Sequence, residues 1–89
     1  MKGSVEVRYP GGDSTRLPDA TVLVARVEPF IQAYVGYTDQ DGEFHIPQVS
    51  QGRWRLNVCK GGFKTLAAYV MIEGGDSGPA LRFTTELDW

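Results

Sequence analysis

The chain has one cysteine, Cys59, and one histidine, His45. One thiol cannot form an internal disulfide, and neither residue type is numerous enough for a metal site built from several Cys or His ligands. No apolar run approaches the roughly 20 residues of a transmembrane helix. The formal net charge of -2 disfavours nonspecific nucleic-acid binding, which needs clustered lysines and arginines. We therefore expect no metal, no cofactor, no nucleic-acid partner and no membrane insertion.

Residues 1–6 contain no apolar core of the kind that a signal peptide needs. Two expectations about the compartment follow from this. The chain is either cytoplasmic as made, or a domain of an exported or surface assembly. The sequence does not choose between them, and the lone cysteine is compatible with a reducing compartment without requiring one.

Short apolar runs with a period of two dominate the 89 residues, and 11 glycines and 5 prolines separate them. No segment of helical length has a convincing period of 3.6. We predict a single domain, 1–89, folded as an all-β, seven-stranded antiparallel Greek-key sandwich. The predicted strands span 5–9, 21–27, 32–38, 43–46, 53–59, 63–72 and 80–85.

Alternation within these strands predicts which side chains face inward. Trp54, Leu56 and Val58 should be buried, with Arg53 and Arg55 on the opposite, outer side of the same strand. Further predictions concern isolated positions. Val49 should turn inward from a connection, His45 should face solvent from a strand, and Cys59 should be a small buried or half-buried side chain.

A tight turn is predicted between the third and fourth strands. Asp39 and Asp41 have carboxylates that bond to nearby backbone, and Gly42 provides the positive φ that a hairpin needs. The same Asp-x-Asp-Gly spacing also suggests calcium. It lacks the further oxygen ligands and the distal glutamate of a calcium loop, so turn formation is favoured.

Four segments occur in an order that resembles a known family: Leu17-Pro18-Asp19-Ala20-Thr21-Val22, Thr38-Asp39 to Phe44, Gly52-Arg53-Trp54-Arg55-Leu56-Asn57-Val58, and Gly62-Phe63. Together they resemble the carboxypeptidase regulatory-like domain, a small prealbumin-like (transthyretin-like) sandwich. The resemblance implies a non-catalytic accessory domain. Such domains occur beside peptidases, in bacterial outer-membrane and surface proteins, and on secretion-system spike proteins.

Transthyretin-like enzymes that hydrolyse a purine-degradation intermediate share the implied fold. They need several histidines and a Tyr-Arg-Gly-Ser terminus, whereas this sequence has one histidine and ends Glu86-Leu87-Asp88-Trp89. No serine or cysteine nucleophile lies in a recognisable motif either. We therefore expect that the protein is not an enzyme.

Two kinds of side chain are candidates for binding. Arg53 and Arg55 form an arginine pair suited to carboxylates, and Arg8 and Arg82 would extend it if their strands were neighbours. The second kind comprises the aromatics that the core does not claim: Phe30, Tyr34, Tyr69 and Trp89.

The leading hypothesis is an adaptor module that presents loops or an edge strand to a partner protein. The residues predicted to contact the partner are Phe30, Tyr34, Arg53, Arg55 and Trp89. The alternative is a carbohydrate-binding accessory domain, which would require the exposed aromatics to form one platform.

Overall fold

The structure is a computed structural model that describes residues 1–28, 30–72 and 81–86. The described part of the chain is all-β. Its strands are β1 Lys2–Arg8, β2 Ser14–Arg16, β3 Thr21–Arg26, β4 Gln32–Tyr37, β5 Glu43–His45, β6 Gly52–Cys59, β7 Leu66–Ile72 and β8 Leu81–Glu86. No helix in these residues is long and apolar enough to cross a bilayer.

The first sheet is built around β1. One edge of β1 pairs with β8 in parallel, with Gly3 opposite Leu81. The other edge pairs with two short strands placed end to end: β5, where Gly3 lies opposite Phe44, and β2, where Glu6 lies opposite Arg16. Both of these pairings are antiparallel. The parallel pairing departs from the predicted antiparallel arrangement, and long-range packing decides it, because β1 and β8 lie at opposite ends of the sequence.

The second sheet has the strand order β4-β3-β6-β7, and every pairing in it is antiparallel. The prediction of an all-β protein with two sheets is thus confirmed. Eight strands are described where seven were predicted, because Ser14–Arg16 pairs with β1. This short strand follows turn residues and has no buried side chain. No pattern of apolar residues in the sequence therefore indicated a strand here.

Both sheets contribute their inner faces to one hydrophobic core. The inward positions alternate along each strand, as the period of two predicts. The core contains Met1, Val5, Leu17, Ala20, Val22, Val24, Phe44, Ile46, Val49, Trp54, Leu56, Val58 and Ile72. The predicted burial of Trp54, Leu56 and Val58 is confirmed, and so is the inward turn of Val49.

The turn between β4 and β5 has the chemistry predicted for Asp39 and Gly42, whereas Asp41 contributes its backbone N–H. The Asp39 carboxylate accepts hydrogen bonds from the backbone N–H of Asp41, at 2.9 Å, and of Glu43, at 3.0 Å. Gly42 has a φ of 72°. A Cβ on Gly42 would come within 2.8 Å of the Val5 carbonyl oxygen, so both conformation and space require glycine here. No group of three or more metal-ligating side chains is found in the described ranges.

Thr38 connects this turn to the loop that precedes β3. Its buried hydroxyl accepts a hydrogen bond from Ala20 N–H at 2.8 Å and donates one to the Leu17 carbonyl at 2.7 Å. The backbone N–H of Thr38 also donates to the Ala20 carbonyl. One side chain therefore satisfies two backbone groups of a loop in which Asp19 has a φ of 61°.

Candidate functional site

The two sheets expose chemically different outer faces. The outer face of the first sheet alternates charges and hydroxyls, among them Lys2, Ser4, Glu6, Arg8, Arg82, Thr84 and Glu86. We define the outer face of the second sheet by the cross-strand register as Thr21, Leu23, Ala25, Ala33, Val35, Tyr37, Arg53, Arg55, Asn57, Cys59, Ala67, Tyr69 and Met71. Arg53 and Arg55 are the charged members of this set, and it contains no carboxylate.

Arg53 and Arg55 are exposed on β6, two residues apart. The Arg53 guanidinium carbon lies 5.9 Å from the centroid of the Tyr69 ring, and Arg55 is directly opposite Tyr69 in the register. No carboxylate of the described chain forms a salt bridge with either arginine. At a separation of about 7 Å, two unit charges repel by about 0.6 kcal/mol even in bulk water. A carboxylate supplied from outside would relieve that repulsion.

An open groove of about 840 Å³ surrounds these arginines. The end of β3 and the start of β6 form its sides, and its lining includes Ala25, Val27, Arg53, Arg55 and Tyr69. Glu28, also exposed, is the one carboxylate among the lining residues. The groove therefore combines apolar surface with a net positive charge, which suits a partner that carries both apolar and acidic groups.

Arg26 also lines this groove, and its contacts hold its side chain in place. Its guanidinium carbon is 4.3 Å from the Trp54 ring centroid. It donates hydrogen bonds to the Gln32 side chain at 2.7 Å, the Ser50 hydroxyl at 2.8 Å and the Gln51 carbonyl at 3.0 Å. Because Arg26 makes three hydrogen bonds and stacks on Trp54, it serves structure, and Arg53 and Arg55 are the cations offered to a ligand.

Large apolar side chains lie on the same outer face as the arginines. Tyr69 is 72% exposed and Met71 is 60% exposed on β7, and Val35 and Tyr37 are exposed on β4. Val27 continues this apolar surface just beyond β3. Exposed apolar groups grouped in this way are typical of interaction surfaces.

The predicted partner-binding residues do not all lie on this face. Arg53 and Arg55 point outward together, as the alternation predicts. Phe30 is exposed, in the connection between β3 and β4. Tyr34 points the other way: it packs against the core, with its ring centroid 6.0 Å from that of Trp54. The prediction that the core does not claim Tyr34 is therefore wrong. Trp89 lies outside the described residues.

Tyr34 was misassigned because β4 carries apolar residues on both sides. Ala33, Val35 and Tyr37 alternate with Gln32, Tyr34 and Gly36, and the inward series is the one that contains the polar Gln32, so polarity indicates the wrong side. Pairing of Val24 with Tyr34 places Tyr34 on the inner side. The register, which is a tertiary property, thus decides the orientation of the whole strand.

Two other expectations need correction. Arg8 and Arg82 do not extend the face of Arg53 and Arg55, because β1 and β8 belong to the first sheet. Cys59 is exposed and its thiol is free. It continues the outward series of β6, and the strand ends there before anything covers it.

Sequence reasoning did not single out Val27, Tyr37 or Met71 as surface residues. Met71 could have been identified as the period-two partner of Tyr69, whereas Val27 and Tyr37 lie on or beside strands that carry apolar residues on both sides. His45 is exposed, as predicted, and lies in a second open depression of about 530 Å³ on the first sheet, together with Lys2, Ser4, Glu43 and Arg82.

No family model matches the sequence, and no curated protein is significantly similar to it. Inference about function therefore rests on the surface chemistry.

Proposed function

We propose that this chain is a non-catalytic protein-interaction module, an adaptor whose outer face on the second sheet binds an acidic surface of a partner protein. One observation carries the proposal. Arg53 and Arg55 are the charged side chains of a face that is otherwise apolar or neutral, and they have no carboxylate partner in the described chain. The protein as a whole has a net charge of -2, so this face differs in sign from the average surface.

The chemistry of the face favours a protein ligand. Arginine and tyrosine, together with tryptophan, are enriched among the side chains that dominate binding energy at protein interfaces. Guanidinium groups bind carboxylates through two parallel hydrogen bonds, which fixes the orientation of the partner as well as its charge. A bound partner would also bury Tyr69 and Met71, and removing their apolar surface from water would stabilise the complex.

The family resemblance of the sequence agrees with this role. We further propose that the chain is a member of the carboxypeptidase regulatory-like family and has the Greek-key connectivity that this family implies. We also propose that it works within a surface or secretion-spike assembly. Accessory sandwiches of this kind act through their surfaces, which is consistent with the absence of a recognisable nucleophile motif in the sequence.

The test is an affinity capture from cells that produce the protein, with three immobilised baits. These are the wild-type chain, Arg53→Ala/Arg55→Ala and the control Arg8→Ala/Arg82→Ala. Both double variants change the net charge by the same amount, but only the first alters the second sheet. We expect a stoichiometric protein on the wild-type and control baits, and at least a tenfold loss on the Arg53/Arg55 bait. Capture should weaken as salt concentration rises.

The proposal fails if the wild-type bait captures no protein, or if both double variants lose the same protein equally. A glycan array with the same three proteins tests the carbohydrate alternative. The described aromatics give that alternative little support, because Tyr34 faces inward while Tyr37 and Tyr69 lie on opposite edge strands of the sheet. A glycan signal abolished by Tyr69→Ala would favour it over the adaptor.

A further inference from the structure

On the outer face of the second sheet, the side chains of the interior strand β3 are less exposed than those on either side of them. The outward residues of β3 are Thr21, Leu23 and Ala25, and all three are half-buried. The outward residues of β4 are exposed, and so are Arg53 and Arg55 on β6. The outward residues of β3 therefore form the floor of a trough, which runs along the strand between β4 and β6.

The trough has the width of an α-helix. Because β4 and β6 both pair with β3, they lie about 9.6 Å apart, and a helix with its side chains is about 10–12 Å across. An extended segment is narrower, since neighbouring strands of a sheet lie only about 4.8 Å apart, so it would leave half of the floor in water. The six residues of β3 give the trough a length of about 20 Å, which about 13 helical residues span.

The strands of the second sheet carry apolar residues on both of their sides. β7 reads Leu-Ala-Ala-Tyr-Val-Met-Ile, and β3 begins Thr-Val-Leu-Val-Ala. Such continuous apolar runs are typical of strands that lie between two layers, whereas a sheet with one solvated side alternates apolar and polar residues. β1 in the first sheet shows that alternation, with Lys2, Ser4 and Glu6 between buried residues. The composition of the second sheet therefore favours a further layer on its outer face.

We propose that the trough binds an amphipathic α-helix of the partner protein, with the apolar stripe of the helix on β3 and an acidic flank beside Arg53 and Arg55. The helix adds a third layer to the two sheets. This inference rests on the proposed function, because it names the kind of segment through which the partner binds the same face.

The spacing of the arginines fits carboxylates that are one helical turn apart. Arg53 and Arg55 are two residues apart on β6, which is about 6.8 Å along the strand. Acidic residues at positions i and i+4 of a helix are about 6 Å apart along its axis and lie on one flank. The long arginine side chains can take up the difference and reach the carboxylates from beside the helix. Neither arginine forms a salt bridge within the described chain, so two carboxylates would neutralise both.

The two ends of the trough differ in charge, and this decides where the acidic pair lies on the helix. Arg55 is opposite Ala25 in the register, and the groove of about 840 Å³ opens at this end. At the other end, Thr21 lies between Tyr37 and Cys59, and none of these residues is an arginine or lysine. The helix therefore has its two carboxylates near one end, while its apolar stripe continues along the whole trough.

Two display libraries of peptides of about 16 residues, or about 24 Å as a helix, test the proposal against the immobilised full chain. The helical library has two glutamates four residues apart, beside a stripe of randomised apolar residues, with alanine and glutamine elsewhere. The strand library has the same composition, with two glutamates two residues apart followed by apolar residues at alternate positions. We expect binders from the helical library, and their circular dichroism should gain helix on binding. Peptides from the strand library should bind at least about tenfold more weakly.

Charge reversal identifies the side chains that bind the glutamates. Arg53→Glu/Arg55→Glu should weaken the selected helical peptides at least about tenfold, and it should bind their Glu→Lys counterparts instead. The matched control Arg8→Glu/Arg82→Glu makes the same change in net charge at exposed positions of the first sheet. It should bind the original peptides as the wild type does.

Two tryptophan substitutions locate the bound helix. Ala25→Trp fills the floor of the trough and should weaken the helical peptides at least about tenfold. Ala67→Trp puts the same side chain at an exposed position of β7, outside the trough, and should leave their affinity unchanged. Thermal unfolding of each variant checks that the fold is retained. The charge reversal tests the same complex without depending on the folding of Ala25→Trp.

The outcomes distinguish failure of this inference from failure of the proposed function. Strand-library binders that depend on Arg53 and Arg55 would overturn the helix and leave the adaptor in place. Helical peptides that Arg8→Glu/Arg82→Glu weakens equally, or that a folded Ala25→Trp protein still binds, do not occupy the trough, and the inference fails. It also fails if neither library yields a peptide that depends on the two arginines. In that case the affinity capture with Arg53→Ala/Arg55→Ala still decides whether a partner protein uses this face.

Discussion

Replacing Thr38 by valine tests whether one buried hydroxyl holds the loop before β3 against the β4–β5 turn. Valine has nearly the same shape as threonine, so the substitution removes hydrogen-bonding capacity without creating a cavity. The N–H of Ala20 and the carbonyl of Leu17 then lose the partner that the hydroxyl provides, at 2.8 Å and 2.7 Å. Both groups stay in a region that excludes water, because Thr38 is 4% exposed.

The expected cost follows from these two bonds. A buried polar backbone group without a partner costs about 1–3 kcal/mol. Two such groups, less about 0.8 kcal/mol for the added buried methyl, predict a loss of about 3 kcal/mol in the free energy of unfolding, within a range of about 1–5 kcal/mol. For a domain of this size, that loss lowers Tm by about 10–25 °C.

Urea unfolding followed by circular dichroism measures the change, with two comparison variants. Thr38→Ser keeps the hydroxyl and loses a methyl, so it should cost about 1 kcal/mol. Thr15→Val makes the same chemical change at an exposed position of β2 and should stay within about 0.5 kcal/mol of the wild type. A Thr38→Val protein as stable as the Thr15→Val protein would show that the hydroxyl does not stabilise the loop.

Three further predictions concern other parts of the fold. Arg26→Lys should lower the free energy of unfolding by about 2 kcal/mol, because lysine lacks the planar group that bonds three partners at once. The control Arg55→Lys should change it by less than about 0.5 kcal/mol. Equal losses for the two variants in urea unfolding would contradict this prediction. Gly42→Ala should cost clearly more than Gly11→Ala, since both glycines have positive φ but only Gly42 also meets backbone within 3 Å; equal shifts of Tm would refute the steric argument. Cys59 should react with a thiol reagent to one equivalent without denaturant, and a reaction that begins only on unfolding would show that its thiol is covered.

The predicted inner residues of β6 are correct because that strand carries unambiguous information. Trp54, Leu56 and Val58 alternate with two arginines, and only one orientation buries the apolar series without burying charge. β4 has no such contrast, so its sequence permits two orientations that differ by a one-residue slip. Its contacts with β3 select the orientation that buries Tyr34.

For the binding face as well, the sequence predicts what lies within one strand but not which strands become neighbours. The pair Arg53 and Arg55 was predictable because both residues belong to one strand. Whether Arg8 and Arg82 join them depends on which strands become neighbours, and that is settled by packing between distant parts of the chain. Tyr69 and Met71 acquire their importance only because β7 pairs with β6 and places them beside the arginines.

The sequence by itself determined the all-β class, most of the strands, the Asp39–Gly42 turn and the inner side of the strands with polar–apolar contrast. These features depend on interactions within a few residues: the period of two, the carboxylate that bonds to its own turn, and the glycine with positive φ. Tertiary structure alone decided the parallel pairing of β1 with β8, the orientation of β4 and the position of β7 at the end of the strand order in its sheet. Each of these depends on which strand lies alongside another, and pairing energy between segments far apart in sequence leaves no periodic signal in either one.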